Sequence, residues 1–405
     1  MRFIPARHLG VPATASILFV LGGCGPRHEA LPAAATGVPI VHLDPSAPGA
    51  APVWRTEVLY TTLSHDSATL DRYLDARLTP DSILIVSRIN DLLVFGPDGR
   101  LLQLLGRAGD GPGEYRWIYR LGLAADGTLL VGDLGDGRVT RLTPKGGARV
   151  TRYLGSLSPS HEVEPLTLLS SGQILATYWQ QRPNRDETWG MVGAFRRDSS
   201  PLMLFDVDGT RRATLGTWPG LERATVPIGH LAPPFARTAL TQARGDFAAI
   251  SVTDSLDLTL YRDTQAVLHL VGPQPGGTAT SEMRTQWEKT LESDFSDAVK
   301  AYRDAIRDAP AVPALPALAG LGIGDGGEVW LGLFAAPADT GRRWLVVSPE
   351  GKALGEVLLP ALPLHTLPGW REVLDVSGDR LALRRETADG EPYVEVRRIF
   401  RADGR

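Results

Sequence analysis

The chain has 405 residues, of which 43% are apolar and 22% charged, with a formal net charge of -4. That composition suits a globular protein with a large core and excludes a disordered or collagen-like chain. The weakly acidic balance excludes the global basic field that nucleic-acid binding uses, and a single cysteine excludes a disulfide framework.

The chain opens MRFIPARHLGVPATASILFVLGG. Arg2 and Arg7 precede an apolar run over 11–20, and Leu21-Gly22-Gly23 form its small-residue end. Residues 1–23 read as a secretory signal peptide, too short for a membrane-spanning helix. Leu21-Gly22-Gly23-Cys24 resembles the bacterial lipoprotein lipobox. The resemblance implies cleavage before Cys24, a diacylglyceryl group on its thiol and acylation of the new amino group. Several acyl chains, at about 0.8 kcal/mol per buried methylene, hold a protein that one chain would not. The membrane is then a partner through the lipid anchor, and the chain belongs to the bacterial cell envelope. Gly25 in place of Asp resembles the sorting pattern that directs lipoproteins to the outer membrane.

Residues 24–52 are rich in Ala, Pro and Gly and show no sustained period. They read as a flexible tether, spanning roughly 30 Å root-mean-square. WRTEVLY, from Trp54 to Tyr60, then has strand character. It is expected to close a ring of sheets by pairing beside Tyr393 to Phe400, which would remove two exposed sheet edges.

From 53 to 405 one pattern recurs. Inner-hairpin turns fall at Thr79-Pro80-Asp81, Ala125-Asp126-Gly127 and Ser170-Ser171-Gly172, with 45 residues from Asp81 to Asp126 and 45 again to Ser171. Later inner turns are Arg244-Gly245-Asp246, Asp325-Gly326-Gly327 and Val376-Ser377-Gly378-Asp379. Outer turns stand at Pro97-Asp98-Gly99, Lys145-Gly146-Gly147 and Val207-Asp208-Gly209. Gly supplies the positive φ that such hairpins need, so short apolar runs flanking these sites read as antiparallel strands. Six units of four strands predict an all-β fold, a six-bladed β-propeller.

Phe95-Gly96-Pro97-Asp98-Gly99 is followed by Gly106-Arg107-Ala108-Gly109-Asp110-Gly111-Pro112-Gly113-Glu114-Tyr115. The strand pair around Ala125-Asp126-Gly127 through Val131-Gly132-Asp133 comes next. In that order these motifs resemble the NHL-type six-bladed β-propeller family, in particular its bacterial lipoprotein members. The resemblance is close over 80–155 and looser over 160–272 and 312–400. It implies the fold and a binding role without implying a shared reaction.

Residues 278–310 break the β pattern. Met283, Trp287, Leu291, Phe295, Val299, Tyr302 and Ile306 recur every three or four positions among charged residues, which predicts an amphipathic helical insertion between blades 4 and 5. Ser281 is the expected N-cap. The insertion either packs on the propeller or forms a lid or partner surface.

Chemistry-bearing motifs are sparse. There is no zinc spacing, no nucleophile elbow and no phosphate loop; the glycine-rich run lacks the Lys-Ser/Thr end that a phosphate loop has. No catalytic residue is assigned. The most ligand-like positions are His161, Glu162 and Glu164, with His230 in a later linker, and they could share one face with His65 and Asp66. Glu114 either accepts hydrogen bonds from its own loop or contacts a ligand. The leading expectation is a non-catalytic binding or scaffold module for an envelope protein, peptide or glycan, with no cofactor. The alternative is a metal-assisted hydrolase or lyase with axial loop ligands, for which calcium is a suitable divalent ion. Replacing Cys24 by Ser should move the protein from the membrane to the soluble fraction; unchanged fractionation would contradict the lipid anchor.

Overall fold

The computed structural model describes residues 37–44, 51–64, 70, 75–133, 138–143, 150–153, 161–180, 195–226, 229–273, 278–291, 304, 312, 314–336, 341–360 and 371–402. The signal segment, Cys24 and the turn Lys145-Gly146-Gly147 lie outside them.

The fold is all-β and propeller-like. The first sheet is Ala76–Leu78, Leu84–Ser87, Leu92–Phe95 and Leu101–Leu105; the second is Ile118–Leu123, Leu129–Asp133, Arg138–Leu142 and Val150–Tyr153. The third runs His161–Leu168, Ile174–Gln180, Phe195–Phe205 and Arg211–Val226, with Gly229–Leu231 as a fifth strand. The fourth is Ala239–Arg244, Phe247–Val252, Asp257–Arg262 and Gln265–Val271. Within each, successive strands pair antiparallel. Among the described residues, hairpin turns fall at the Gly-containing sites around Gly99, Gly127, Gly172, Gly209, Gly245, Gly327 and Gly378. At Gly127 the backbone reaches φ +80° while its N–H donates to the Ala124 carbonyl at 3.0 Å, a conformation that a side chain would strain.

Four sheets thus stand alone, rather than the six separate blades expected. Arg107–Ala108 and Glu114–Tyr115 pair in parallel as a two-stranded sheet of their own, and eight further strands form one sheet, ordered Leu318–Ile323, Val329–Leu333, Gly341–Val347, Ala353–Pro360, Val53–Thr61, Pro392–Phe400, Arg380–Glu386 and Val373–Ser377. The physical reason lies in Val53–Thr61, which hydrogen-bonds on both sides. It runs antiparallel to Pro392–Phe400, from Arg55 opposite Phe400 to Thr61 opposite Glu395. At its start, Val53 and Trp54 pair in parallel with Glu356 and Val357. The first pairing matches the sequence expectation for ring closure; the second welds two meanders into one sheet.

Within the expected tether 24–52, the described residues include one short strand. Ile40–His42 adds to the fourth sheet as a parallel strand, in register with His269, Leu270 and Val271. Two β-branched residues suit that edge, and Val41 packs over the turn at Gly351 of the eight-stranded sheet. Val41 and Leu43 thereby join the core layer between these two sheets.

The core is a set of such layers between neighbouring sheets. Leu258, Leu260, Leu268 and Leu270 of the fourth sheet pack on Leu321, Ile323, Val329 and Leu331. Trp330 and Trp344 are fully buried between the two halves of the eight-stranded sheet, alongside Val373, Val376 and Leu381. Gly320 and Gly332 leave the room that the Trp344 ring fills. Trp54 meets Trp330 edge-on, with centroids 6.0 Å apart and planes at 65°.

One helix, Ser281–Leu291, is described within the expected insertion 278–310; most of the remainder lies outside the described residues. Its cap is Thr280 rather than Ser281: the Met283 N–H donates to Thr280 Oγ1 at 3.1 Å. The buried Trp287 docks against Phe235 and Val312, which favours packing on the propeller as the role of this part of the insertion. No described helix is long and apolar enough to cross a membrane.

The closing strand makes a stability prediction. Trp54→Ala should lower unfolding free energy by about 3–5 kcal/mol in denaturant titration. A loss under about 1 kcal/mol would mean that this strand does not anchor the seam.

Candidate functional site

The first strands of successive meanders adjoin in a ring: Ala76–Leu78, Ile118–Leu123, His161–Leu168, Ala239–Arg244, Leu318–Ile323, Val373–Ser377, then Ala76–Leu78 again. All are short, and five carry or flank a charged residue that reaches the neighbouring sheets. These residues build the candidate site.

Asp75 is fully buried beside Ala76–Leu78. Its carboxylate accepts from Arg77 Nη1 at 2.9 Å and from Arg371 at 3.1 and 3.2 Å. It also accepts from the Leu121 N–H at 2.8 Å, which ties the first sheet to the second. Arg77 Nη1 donates as well to the Leu374 carbonyl at 3.0 Å, across to the eight-stranded sheet. From the second sheet, Arg120 meets Glu164 of the third at 3.0 Å. From the fourth sheet, Arg244 pairs with Asp375 and Asp325 and donates to the Leu78 carbonyl at 2.8 Å. Asp375 in turn accepts from the Leu78 N–H at 2.7 Å. The result is a lattice of guanidinium and carboxylate groups joining every sheet of the ring.

Burial sets the electrostatics. For Asp75, desolvation favours the neutral acid, but Arg371, Arg77 and Arg120 outweigh it and hold the carboxyl below its usual range. Asp375 goes the other way: burial pushes it up, and Arg244 and Arg77 only partly offset that. Burial also lowers Arg77 and Arg371 from the ordinary guanidinium value. The carboxylates of this lattice are therefore already engaged by cations. Among the described residues, no three His, Cys, Asp or Glu groups are placed to share a metal ion.

The residues singled out from sequence fall in three places. Glu164, 19% exposed, belongs to the lattice through Arg120. Glu114 does not reach it. Its carboxylate accepts from the Gly111 N–H at 2.8 Å and from Arg107 Nε at 2.8 Å, and these two interactions, the amide first, hold it below its usual range. It is the clasp of its own linker. Asp133 and Arg138 complete that clasp: Asp133 accepts from the Arg116 and Trp117 amides at 3.0 and 2.9 Å, and Arg138 donates to the Asp110 carbonyl at 2.6 Å. The glycine-rich motif and the Asp two positions after Val131 are thus one structural unit. His161 and His230 stand on the first and fifth strands of the third sheet, with three strands between them. The side chains of His161, Glu162 and His230, and His65 and Asp66 entirely, lie outside the described residues.

Sequence reasoning missed Asp75, Arg77, Arg120, Arg244, Arg371 and Asp375. The available signal was a lone charge in or beside an otherwise buried apolar strand, as in Ala76-Arg77-Leu78 or Leu374-Asp375-Val376. Such a charge has to find a partner, because burying it alone is costly.

No family model matches the chain, and no curated protein matches it. Among solved structures, it is similar to a putative exported protein from Bacteroides fragilis at 12% identity, over 89% of this chain and 99% of that one, with a TM-score of 0.49. It is also similar to a gluconolactonase from Xanthomonas campestris at 16% identity, over 85% and 89%, with a TM-score of 0.40. A calcium-binding regucalcin from Agrobacterium tumefaciens matches at 12% identity, over 85% and 96%, with a TM-score of 0.40.

The lattice predicts a pH-dependent penalty. Arg244→Met leaves Asp375 and Asp325 without their guanidinium, and breaking a buried pair costs about 3–5 kcal/mol at neutral pH. A carboxyl raised by burial contributes most to stability when protonated and loses that contribution as pH rises through its folded-state pKa. Removing Arg244 raises that pKa further, so the gap between variant and native protein should shrink as pH falls toward about 4. Denaturant titrations at several pH values read this directly; a gap that stays constant, or widens in acid, would contradict it.

Proposed function

We propose that this chain is an envelope lipoprotein of NHL-type six-bladed propeller architecture, acting as a non-catalytic binding module. In this reading the eight-stranded sheet counts as two blades fused by Val53–Thr61, which gives six with the four separate sheets. The ring of six first strands supports that count. Anchoring through Cys24 to the outer membrane rests on the lipobox resemblance and follows the sequence expectation. The partner is an envelope protein, peptide or glycan.

One observation carries the binding reading over the metal-assisted alternative. Asp75, Glu164, Asp375 and Asp325, the acidic groups of the lattice, are each bound to a guanidinium. A hard cation such as calcium needs six to eight oxygen ligands, and recruiting these carboxylates would leave buried arginines unpaired. A ring in which Arg77, Arg120, Arg244 and Arg371 are balanced by Asp75, Glu164, Asp375 and Asp325 instead suits a polar group of a partner.

Adding calcium should therefore leave the thermal midpoint of the purified, lipidated protein unchanged, and so should chelation. A calcium-dependent rise, reversed by chelator, would favour the metal-assisted alternative and overturn this reading.

A further inference from the structure

Leu101–Leu105, the outermost strand of the first sheet, pairs with Leu92–Phe95 and with no other described strand. Its outer edge presents a row of backbone N–H and C=O groups outside any ladder. Other outer edges of this chain are filled or guarded. Ile40–His42 lies on the fourth sheet, and Val53–Thr61 takes the edges of two meanders at once. Val150–Tyr153, at the edge of the second sheet, carries Arg152, and Gly229–Leu231, at the edge of the third, is three residues long. Short edges and charged edges both discourage pairing with another chain. Leu101–Leu105 has neither device. Its five residues carry no charge, and Leu102 and Leu104 are 59% and 50% exposed.

The strand also reads the same in both directions, Leu-Leu-Gln-Leu-Leu. In an antiparallel pair centred on Gln103, Leu101 of one copy faces Leu105 of the other, Leu102 faces Leu104, and Gln103 faces Gln103. Every opposed pair is then matched, apolar to apolar and amide to amide, and no charge is desolvated. Moving the centre one residue either way opposes Gln103 to a Leu and brings Arg100 or Arg107 opposite another Leu. The matched register is the one a two-fold axis generates, with the same patch used by both copies. The chain itself shows that an outer edge of this architecture accepts a further antiparallel strand, since Val53–Thr61 pairs with Pro392–Phe400 in that way.

We propose that a second copy of this chain pairs antiparallel along Leu101–Leu105, joining two first sheets into one eight-stranded sheet across a two-fold axis. The assignment goes beyond the binding-module reading and does not rest on it. Five residues a side fall short of the roughly 20–30 of a standard interface, so the pairing is weak in dilute solution. It strengthens where copies are concentrated, as lipid-anchored copies in one membrane are.

The test is oxidative cross-linking of the full chain reconstituted in vesicles, with single cysteines introduced on the strand. The native protein, whose one cysteine is Cys24, sets the background. Opposed Cα atoms of an antiparallel pair stand about 4.5–5.5 Å apart, within the roughly 4.4–6.8 Å that a disulfide spans. Gln103→Cys should therefore give a disulfide-linked dimer. Leu102→Cys alone and Leu104→Cys alone should stay near background, whereas a mixture of the two should cross-link. Leu358→Cys, 63% exposed on the eight-stranded sheet, controls for chance collision. A charge swap reads the same register without added cysteines. Gln103 is exposed, so Gln103→Glu and Gln103→Lys keep the fold. Each alone sets like charges opposite each other and should lower energy transfer between labelled copies about fivefold; an equimolar mixture should restore it. Cross-linking of Gln103→Cys no greater than that of Leu358→Cys, a Leu102→Cys and Leu104→Cys mixture no better than its components, or energy transfer indifferent to the charge swap would each overturn the assignment.

Discussion

The structure depends on how charge is neutralised where the first strands meet. Six short strands converge on one ring, and side chains that point inward have little solvent to turn to. An apolar filling would satisfy the packing, yet here the space holds arginines and aspartates. Burying either alone would cost several kcal/mol, so each must find a counter-ion on another strand. Because the partners come from different sheets, the pairing works as a set of cross-links. Asp75 holds the second sheet through the Leu121 amide, and Arg77 and Arg244 join the two ends of the described propeller sequence. The lattice therefore fixes the relative placement of the sheets as well as their charge state.

The outer wall solves a complementary problem. Each meander ends in a strand with an unpaired edge, and an exposed edge invites aggregation. The N-terminal part of the chain covers three of these edges. Ile40–His42 lies on the fourth sheet, and Val53–Thr61 lies between two further meanders. Trp54 then packs against Trp330, so a side chain drawn from the start of the sequence is buried in the layer built at its end. Ring closure at the rim and charge pairing at the centre constrain the same sheets from opposite sides.

Much of this architecture was legible in the sequence. Gly-containing turns at a fixed early spacing located the hairpins, because a positive φ has few other solutions. Trp54 to Tyr60 could be matched with Tyr393 to Phe400 because both were unassigned strands at opposite ends of a ring that had to close. The parallel contact at Val53 and Trp54 was not legible, since nothing in a nine-residue strand says that both of its edges are used. Nor was Ile40–His42, a three-residue strand in an Ala/Pro-rich stretch whose composition argued for a tether. The candidate site was harder still. Glu164 was noticed for its neighbours His161 and Glu162, although its partner is Arg120, over forty positions earlier. Arg77, Arg244 and Asp375 look unremarkable one by one and acquire meaning only when the ring brings their strands together.

The central claim is that the ring of first strands holds a guanidinium–carboxylate lattice whose acids are engaged by arginines of neighbouring strands. It is tested most directly by a high-resolution crystal structure grown with calcium present. The account predicts Asp75 bridged between Arg77 and Arg371, Asp375 on Arg244, and calcium absent from the ring. Carboxylates of these residues turned away from the arginines and onto a bound cation would contradict it.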